Sequence, residues 1–394
     1  MPEVTDPSDR NFSAERPVAG PVGKRQTILL SGSHGPSLLR FRGKMIEAMV
    51  ASGHRVHASA PDIDDQLAQA IRALGAVPHC VALARTGLGP IADLQYFRGI
   101  RRLLRDTGAD LSLSYTIKPN IWASLAARSL GVRSASMVTG VGYAFIESRS
   151  LRQKLVQLVA RLLYRAATNA NELVIFQNPD DRDDFIDAGC LADPGKARMI
   201  NGSGVDLNYY APAPLPEQPV FLMAARLLGN KGIREYADAA VGILTRRSDA
   251  RFLLAGYIDE GPDGIDPAEL QRWIGGGIEY LGALDDVRPA ISSASLFVLP
   301  SYREGTPRSV LEAMAMGRPI ITTDVPGCRE TVIDGVNGLL VPARDAKALA
   351  EAMERMIERP QLRREMGDQS LRLCRLKYDV DRVNAQLLEY LAVP

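Results

Sequence analysis

The sequence contains few of the residues that form disulfide or metal cross-links. Its four cysteines are far apart and form no C-x-x-C pair: Cys80, Cys190, Cys328 and Cys374. This pattern is typical of reduced thiols in a cytosolic protein, not of a disulfide framework or a zinc site. No apolar run approaches the roughly 18–20 residues needed to span a bilayer. We therefore expect no disulfides, no membrane-spanning helix and no metal site.

Composition indicates a globular protein with an uneven distribution of charge. A chain of 394 residues, 46% hydrophobic and 24% charged, is too long for one ordinary core and suits two domains. Residues 1–24 contain acids and prolines and no apolar stretch, so we expect a flexible tail, not a signal peptide or an anchor. The net charge is +1, yet residues 24–175 hold 20 Lys and Arg against 9 Asp and Glu. This surplus favours an anionic partner, and chance variation on solvated faces is the simpler alternative.

Short apolar strands alternate with helices of 10–15 residues in both halves of the chain. Examples are QTILLSG in the first half and SLFVLP in the second. This alternation predicts an α/β protein with parallel sheets, and a Gly-, Asn- and Pro-rich linker separates the halves. We predict two doubly wound, Rossmann-like domains facing a cleft, over residues 25–205 and 206–377. A closing helix over 378–394 could cross back to the first domain.

The stretch SLFVLPSYREGTPRSVLEAMAMG predicts a strand, a loop and a helix that begins at Pro307. With Thr306 as the N-cap and proline in the first turn, the free backbone N–H groups of this helix suit an anion. Glu304 precedes the helix, and Glu312 lies among its apolar residues. A carboxylate there is costly unless it accepts hydrogen bonds. The two hydroxyls of a ribose would suit it, and a buried salt bridge is the alternative.

A second motif, AARLLGNKG, also follows a strand and precedes a helix in the same half of the chain. It places Arg226 and Lys231 at the carboxyl end of the sheet. An arginine fork and a lysine point charge suit a diphosphate. Alone this signal is weak, because such residues are usually solvated. The E-x(7)-E pattern downstream strengthens it.

Together these motifs resemble the retaining glycosyltransferases of sequence family four, which have the two-domain GT-B fold. The resemblance covers residues 25–392 and includes GALDDV, RPIITTDVPGCRETV and GVNGLLV. In the first half, FRGKMIEAMVASGHRV, SYTIKPNI and MVTGVGYAF are similar to one branch of that family. The branch transfers N-acetylhexosamines or other sugars onto polyprenyl-diphosphate carriers, and includes the PglA-like, capsule and O-antigen enzymes.

The resemblance implies roles for the residues of the second half. Arg226 and Lys231 would hold the donor diphosphate and stabilise the leaving nucleotide, Glu304 would bind the sugar hydroxyls, and Glu312 the ribose. The remaining donor-binding candidates are Gly305, Thr306, Pro307, Arg308 and Ser309 around the helix start, with Ala283 and Leu284 near the base. Retention is ascribed to attack on the face that the phosphate leaves, with that phosphate taking the proton. No protein nucleophile, metal or cofactor would then be needed.

The first half is expected to bind the acceptor. Its candidates lie at predicted strand ends or in the loops that follow them: Ser33, His34, Arg42, Lys118, Thr139 and Gly140. For Ser33, His34 and Arg42, the alternative to acceptor binding is a neutral loop with a solvated arginine. Many relatives place a histidine near Thr139, and this sequence has none there. The pair Asp62 and Asp64 imitates a metal-binding D-x-D, but it lacks that context.

Two stretches favour contact with an anionic membrane surface. FRGIRRLLR has four arginines at helical spacing, and SRSLRQKLVQLVARLLYRAATNA has basic residues with leucines on another face. Ordinary helices packed on a sheet are the alternative.

The sequence predicts transfer of a hexose or N-acetylhexosamine, with UDP the expected nucleotide, to a polyprenyl-diphosphate-linked saccharide. The enzyme would lie at the inner face of the plasma membrane and bind no nucleic acid. Alternatives are a nucleotide-sugar epimerase of the same fold, a transferase with a soluble acceptor, or a non-catalytic sugar-nucleotide-binding partner. No motif names the sugar.

Overall fold

The computed structural model describes residues 24–84, 89–141, 151–259, 261 and 263–392. Except for Lys24, the predicted flexible tail lies outside the described residues. The same is true of the GYAF end of MVTGVGYAF and of the first residues of the second basic stretch.

The first sheet has seven parallel strands in the order β3-β2-β1-β4-β5-β6-β7. Its strands are β1 (Thr27–Ser31), β2 (Arg55–Ala60), β3 (Val77–Cys80), β4 (Leu111–Tyr115), β5 (Arg133–Val138), β6 (Leu173–Phe176) and β7 (Ala197–Met199). In register, Ile28 of β1 lies between Val56 and Leu111. The strands β1, β2 and β4 are nearly fully buried, because helices cover both faces of a parallel sheet.

The helices of this half are α1 (Gly35–Arg40), α2 (Gly43–Ala51), α3 (Asp65–Ala73), α4 (Pro90–Thr107), α5 (Ile117–Arg128), α6 (Leu151–Ala170) and α7 (Pro179–Asp187). Two short helices follow β1, because the helical backbone is interrupted at Phe41 and Arg42. On one face of the sheet α5 packs between α4 and α6, so these three helices form one layer.

The second sheet has six parallel strands in the order β10-β9-β8-β11-β12-β13. Its strands are β8 (Val220–Ala224), β9 (Arg251–Ala255), β10 (Glu279–Gly282), β11 (Leu296–Leu299), β12 (Ile320–Thr323) and β13 (Gly338–Val341). The helices are α8 (Ile233–Leu244), α9 (Pro267–Gly275), α10 (Arg288–Ser293), α11 (Arg308–Ala315), α12 (Ala346–Glu358), α13 (Pro360–Lys377) and α14 (Val380–Ala392). The predicted α/β class with two doubly wound sheets is confirmed.

The chain passes between the two sheets twice, and the two crossings are joined. Val205 donates its backbone N–H to the carbonyl of Tyr378 and accepts one from Val380, at 2.8 and 3.1 Å. Gly204 has a φ of 67°, and a Cβ there would press on the backbone of Val380. Beyond this junction α14 packs against α2, and its apolar residues enter the core of the first sheet: Val383, Leu387 and Leu391.

Candidate active site

A cavity of about 670 Å³ opens beside the point where the strand order of the second sheet reverses. Strands β8 and β11 are neighbours in space but not in sequence, so the loops that follow them diverge and leave a crevice at their carboxyl ends. Arg226 and Lys231 follow β8, and Glu304 follows β11. Residues from α1, α2 and the segment between them close the cavity from the first domain. The sequence motifs of the second half therefore meet in one place.

Lys231 and Glu304 form the closest charged contact in this cavity. The Nζ atom of Lys231 lies 2.5 Å from Oε1 of Glu304, which also accepts a hydrogen bond from the Ser301 hydroxyl at 2.8 Å. The side chains are only 20% and 13% exposed. Gly232 fixes the lysine loop, because its φ is 75° and a Cβ there would overlap the carbonyl oxygen of Pro300. A cation and a carboxylate are thus presented together at the end of β11.

Arg226 lies at the more open side of the cavity. Its side chain is 51% exposed, and its Nη1 atom is 3.3 Å from Oδ2 of Asp259. This is a long, solvated contact of the kind that contributes little to stability. The guanidinium is therefore available to an anionic ligand at small cost.

Glu312 lies on the side of α11 that faces the cavity, and protein groups hold one of its oxygens. Its Oε1 accepts hydrogen bonds from the Tyr210 hydroxyl at 2.8 Å and from Nε of Arg308 at 3.1 Å. Burial raises the pKa of this carboxyl, although the charge of Arg308 and the bond from Tyr210 act in the opposite direction. The helix begins at Arg308, one residue later than expected, and Pro307 is its N-cap in place of Thr306. Arg308, Ser309 and Glu312 all line the cavity.

The linker contributes a pair of tyrosines to the cavity lining that no sequence motif indicated. Tyr210 belongs to the linker, where Gly, Asn and Pro dominate and an aromatic pair gives no clear signal. Its neighbour Tyr209 lies under the guanidinium of Arg288, with Cζ 3.8 Å from the ring centroid, and Asp286 pairs with Arg288 at 2.6 Å. Leu284 lines the cavity together with Asp285, Asp286 and Val287, all four from the GALDDV motif. Ala283 is not among the lining residues.

The candidates near β1 differ in where they lie. Arg42 is 5% exposed and packs over the Tyr115 ring at 5.0 Å, so it is not solvated. Burial, assisted by the charge of Arg308, lowers the pKa of Arg42 to about 10, and Tyr115 opposes this shift. Its neighbours Leu39, Arg40, Phe41, Gly43 and Lys44 line the cavity in its place. His34 is bonded to Asp62 at 2.6 Å, and Ser33 is half-buried nearby.

The remaining candidates of the first half lie away from the cavity lining. Lys118 makes an ion pair with Asp93 of α4 at 2.8 Å, and both side chains are largely buried. Thr139 and Gly140 follow β5 and touch the backbone of Gly305, so they contact the second domain directly. Gly305 and Thr306 accordingly face the first domain and are not among the residues that line the cavity.

Comparison with known proteins identifies the family. The model "Glycosyl transferases group 1" matches residues 218–359, and "Glycosyl transferase 4-like domain" matches residues 40–201. This chain belongs to the group 1, or family four, glycosyltransferases. Members of this family are retaining enzymes, and this glycosyltransferase has both domains that the two family descriptions cover.

Two curated relatives of this glycosyltransferase act on diphospholipid-linked sugars according to their names. One is the N,N'-diacetylbacillosaminyl-diphospho-undecaprenol alpha-1,3-N-acetylgalactosaminyltransferase of Campylobacter jejuni. It is 28% identical over 90% of this chain and 95% of the relative. The other is the UDP-Gal:alpha-D-GlcNAc-diphosphoundecaprenol alpha-1,3-galactosyltransferase of Escherichia coli, 27% identical over 68% of this chain and 71% of the relative.

Solved structures match this glycosyltransferase in fold. Anabaena HepE in complex with UDP and glucose has a TM-score of 0.75 at 18% identity, covering 94% of this chain and 100% of that one. Sucrose-phosphate synthase of Thermosynechococcus elongatus has a TM-score of 0.75 at 20% identity, covering 93% and 98%. Among the described residues, no helix has the length and apolar character needed to cross a membrane.

Proposed function

We propose that this glycosyltransferase transfers a hexose or N-acetylhexosamine from a nucleotide sugar to a polyprenyl-diphosphate-linked saccharide, with retention of configuration. We expect UDP to be the nucleotide, since the name of the Escherichia coli relative includes UDP-Gal. The acceptor class follows from the names of both relatives, one of which matches nearly the whole chain. The observation that carries the proposal is the placing of Lys231, Glu304 and Glu312 around one cavity at the strand-order switch.

In this proposal the second domain binds the donor. Glu312 accepts hydrogen bonds from the ribose, and the start of α11 with Arg226 and Lys231 faces the diphosphate, where positive charge is concentrated. Glu304, held by Lys231 and Ser301, binds hydroxyls of the donor sugar. Leu284 and the main chain around it contact the base.

The reaction breaks the bond between the anomeric carbon and the β-phosphate oxygen of the donor. The acceptor hydroxyl oxygen forms its new bond on the same face, and its proton passes to the departing phosphate. Arg226 and Lys231 stabilise the charge that develops on that phosphate, which is the kind of electrostatic contribution worth about 10²–10³ in rate for a single well-placed group. No side chain has to act as a nucleophile in this scheme.

The first domain would provide the acceptor side and the membrane contact. Three leucines lie along one side of α6, and each is more than half exposed: Leu155, Leu158 and Leu162. The opposite side of α6 packs through Tyr164 and Ala167 into the core, so the helix has a second apolar face without a partner among the described residues. In the same helical layer, four arginines of α4 line a shallow groove of about 370 Å³. Exposed leucines and arginines in one helical layer suit the surface of an anionic membrane, so we propose a peripheral position at its inner face.

Substitution of the central pair tests the proposed function. We expect Lys231→Ala and Glu304→Ala to remove at least about 99% of transfer from UDP-sugars to a polyprenyl-diphosphate saccharide, since each removes a group at the reacting centre. The control is Arg251→Ala, which breaks an exposed ion pair with Glu279 in the same sheet. Full activity in either central variant would contradict the proposal. Incubation of donor alone, followed by a search for an isomerised sugar, separates transfer from epimerisation.

A further inference from the structure

The N-terminal end of α7, in the first domain, contacts the loop of the second domain that carries Glu304. Asn178 is fully buried and caps α7, since its Oδ1 accepts the backbone N–H of Asp181 at 2.7 Å. Its Nδ2 atom donates to the carbonyl oxygen of Gly305 at 2.7 Å and lies 3.4 Å from that of Glu304. One amide therefore joins a helix start in one domain to the sugar-binding loop in the other.

Arg303, the residue immediately before Glu304, makes the second connection. Its guanidinium lies 2.5 Å from Oδ1 of Asp181 and 2.6 Å from Oδ2 of Asp184. The Asp181 side chain is fully buried, so this contact is poorly screened by solvent. Burial acts to lower the pKa of Arg303, and the two aspartates outweigh it and raise that pKa. The guanidinium is thus a fixed, charged anchor.

Close packing leaves the loop little freedom between the two domains. A Cβ on Gly305 would overlap the carbonyl oxygen of Thr139, at the end of β5. On the other side, a Cβ on Gly327 would overlap the carbonyls of both Glu304 and Gly305, and Glu304 donates its N–H to Pro326 at 3.0 Å. The backbone of Glu304 is therefore held between the domains, while its carboxylate is held by Lys231 and Ser301 of its own domain.

We propose that Asn178 and Asp181 of the first domain are positioning residues for Glu304, acting through Gly305 and Arg303. The donor-sugar subsite would then be complete only when the two domains are in contact, as they are here. This inference rests on the proposed role of Glu304 as the residue that binds the sugar. It predicts that loosening this contact affects recognition of the sugar and not recognition of the nucleotide, because Glu312 and Arg226 have no bond to α7 in the described structure.

Arg303→Gln is the variant that tests the inference, and Arg329→Gln is its matched control. Arg329 also joins the domains, through Asp180 at 3.2 Å, but its other ion pair is with Asp324 and it is not next to Glu304 in the chain. Asn178→Ser is a second test, because serine keeps the helix cap while its shorter side chain does not reach Gly305. Thermal melting of each variant shows whether it is folded.

Two readouts distinguish positioning from simple adhesion between domains. For Arg303→Gln and Asn178→Ser we expect kcat to fall about 10- to 100-fold, the loss that a displacement near 1 Å produces. In both variants the ratio of Kd for UDP to Kd for the accepted UDP-sugar should fall towards one, while Kd for UDP stays within about twofold of the wild-type value. Arg329→Gln should match the wild type in both measurements. Equal kinetics for Arg303→Gln and Arg329→Gln, or an equal loss of affinity for UDP and UDP-sugar, would overturn the inference.

The two levels of proposal fail differently. If Glu304→Ala keeps full turnover, the proposed function itself is wrong. If Glu304→Ala is inactive while Arg303→Gln and Asn178→Ser are fully active, the proposed function stands and only the positioning role is lost.

Discussion

The carboxylate of Glu312 should recognise both hydroxyls of the donor ribose. Among the described residues, Tyr210 and Arg308 both donate their hydrogen bonds to Oε1 of Glu312. Oε2 is therefore the stronger acceptor for a ligand that enters the cavity. The perturbation we propose is in the ligand: UDP compared with its 2′-deoxy and 3′-deoxy forms. The matching change in the protein is Glu312→Gln, which keeps the shape of the side chain and removes its charge.

The expected size of the effect follows from the strength of one hydrogen bond to a charged group. Such a bond contributes about 1.5–3 kcal/mol, which corresponds to roughly 10- to 150-fold in Kd. The site is mostly buried, with Glu312 13% exposed, so water replaces a lost hydroxyl poorly and values in the upper part of that range are reasonable. In Glu312→Gln the acceptor is neutral, and the penalty for each deoxy analogue should fall below about tenfold.

Isothermal titration of the three ligands against the wild type and Glu312→Gln measures this coupling as a double-mutant cycle. Glu312→Asp is a useful third protein, since it keeps the charge but withdraws it by one methylene. Identical Kd values for UDP and both deoxy analogues with the wild-type protein would refute the ribose role. So would deoxy penalties that are unchanged in Glu312→Gln.

Three further predictions concern charge, backbone and surface. Burial raises the pKa of Glu312, and the ionised carboxylate is the better acceptor, so affinity for a nucleotide sugar should fall as pH is lowered through that pKa. Equilibrium binding at a series of acidic pH values should show this fall. Glu312→Gln should not show it. Gly232→Ala should lower the free energy of unfolding by more than about 2 kcal/mol in urea titrations, since it adds a clash with Pro300 to the strain of a positive φ. Gly317→Ala has a similar φ with open space around it, so it should cost less, and an equal loss in both would contradict the clash argument. Finally, Leu155→Glu combined with Leu162→Glu should weaken binding to phosphatidylglycerol vesicles at least about tenfold in a flotation assay. Leu376→Glu, a similarly exposed leucine of the second domain, should bind vesicles as the wild type does, and unchanged binding of the double variant would exclude the α6 surface.

The part of the site that the second domain provides could be predicted from sequence because its geometry is local. Parallel strands place their carboxyl ends at one edge, so residues that follow strands can be expected to gather there without knowledge of their contacts. This reasoning brings Arg226, Lys231 and Glu304 to the end of the sheet, where the structure has them. The roles of these residues remain proposals.

Contacts between residues that are far apart in sequence could not be predicted in this way. Tyr210 reaches Glu312 over 102 positions of sequence, and Asn178 reaches Gly305 over 127, so neither pairing has a local pattern. Arg42 was predicted to bind the acceptor, and a solvated side chain was the alternative. It is instead buried against Tyr115, which depends on how α1, α2 and β4 pack. The break between α1 and α2 likewise has no proline to signal it. Such features are set by tertiary contacts, which propensity and periodicity do not encode.

The last helix has a consequence for how the molecule is made. Core positions of the first sheet pack against Val383, Leu387 and Leu391, which leave the ribosome after the whole second domain. About 180 residues separate the end of the first domain from these three residues, so at roughly 5–20 residues per second the interval is on the order of 10–40 s. During that time α2 lacks the helix that packs against it in the finished protein. The first domain to be synthesised is thus the last to be completed, and part of its core stays uncovered until the end of the chain has been made.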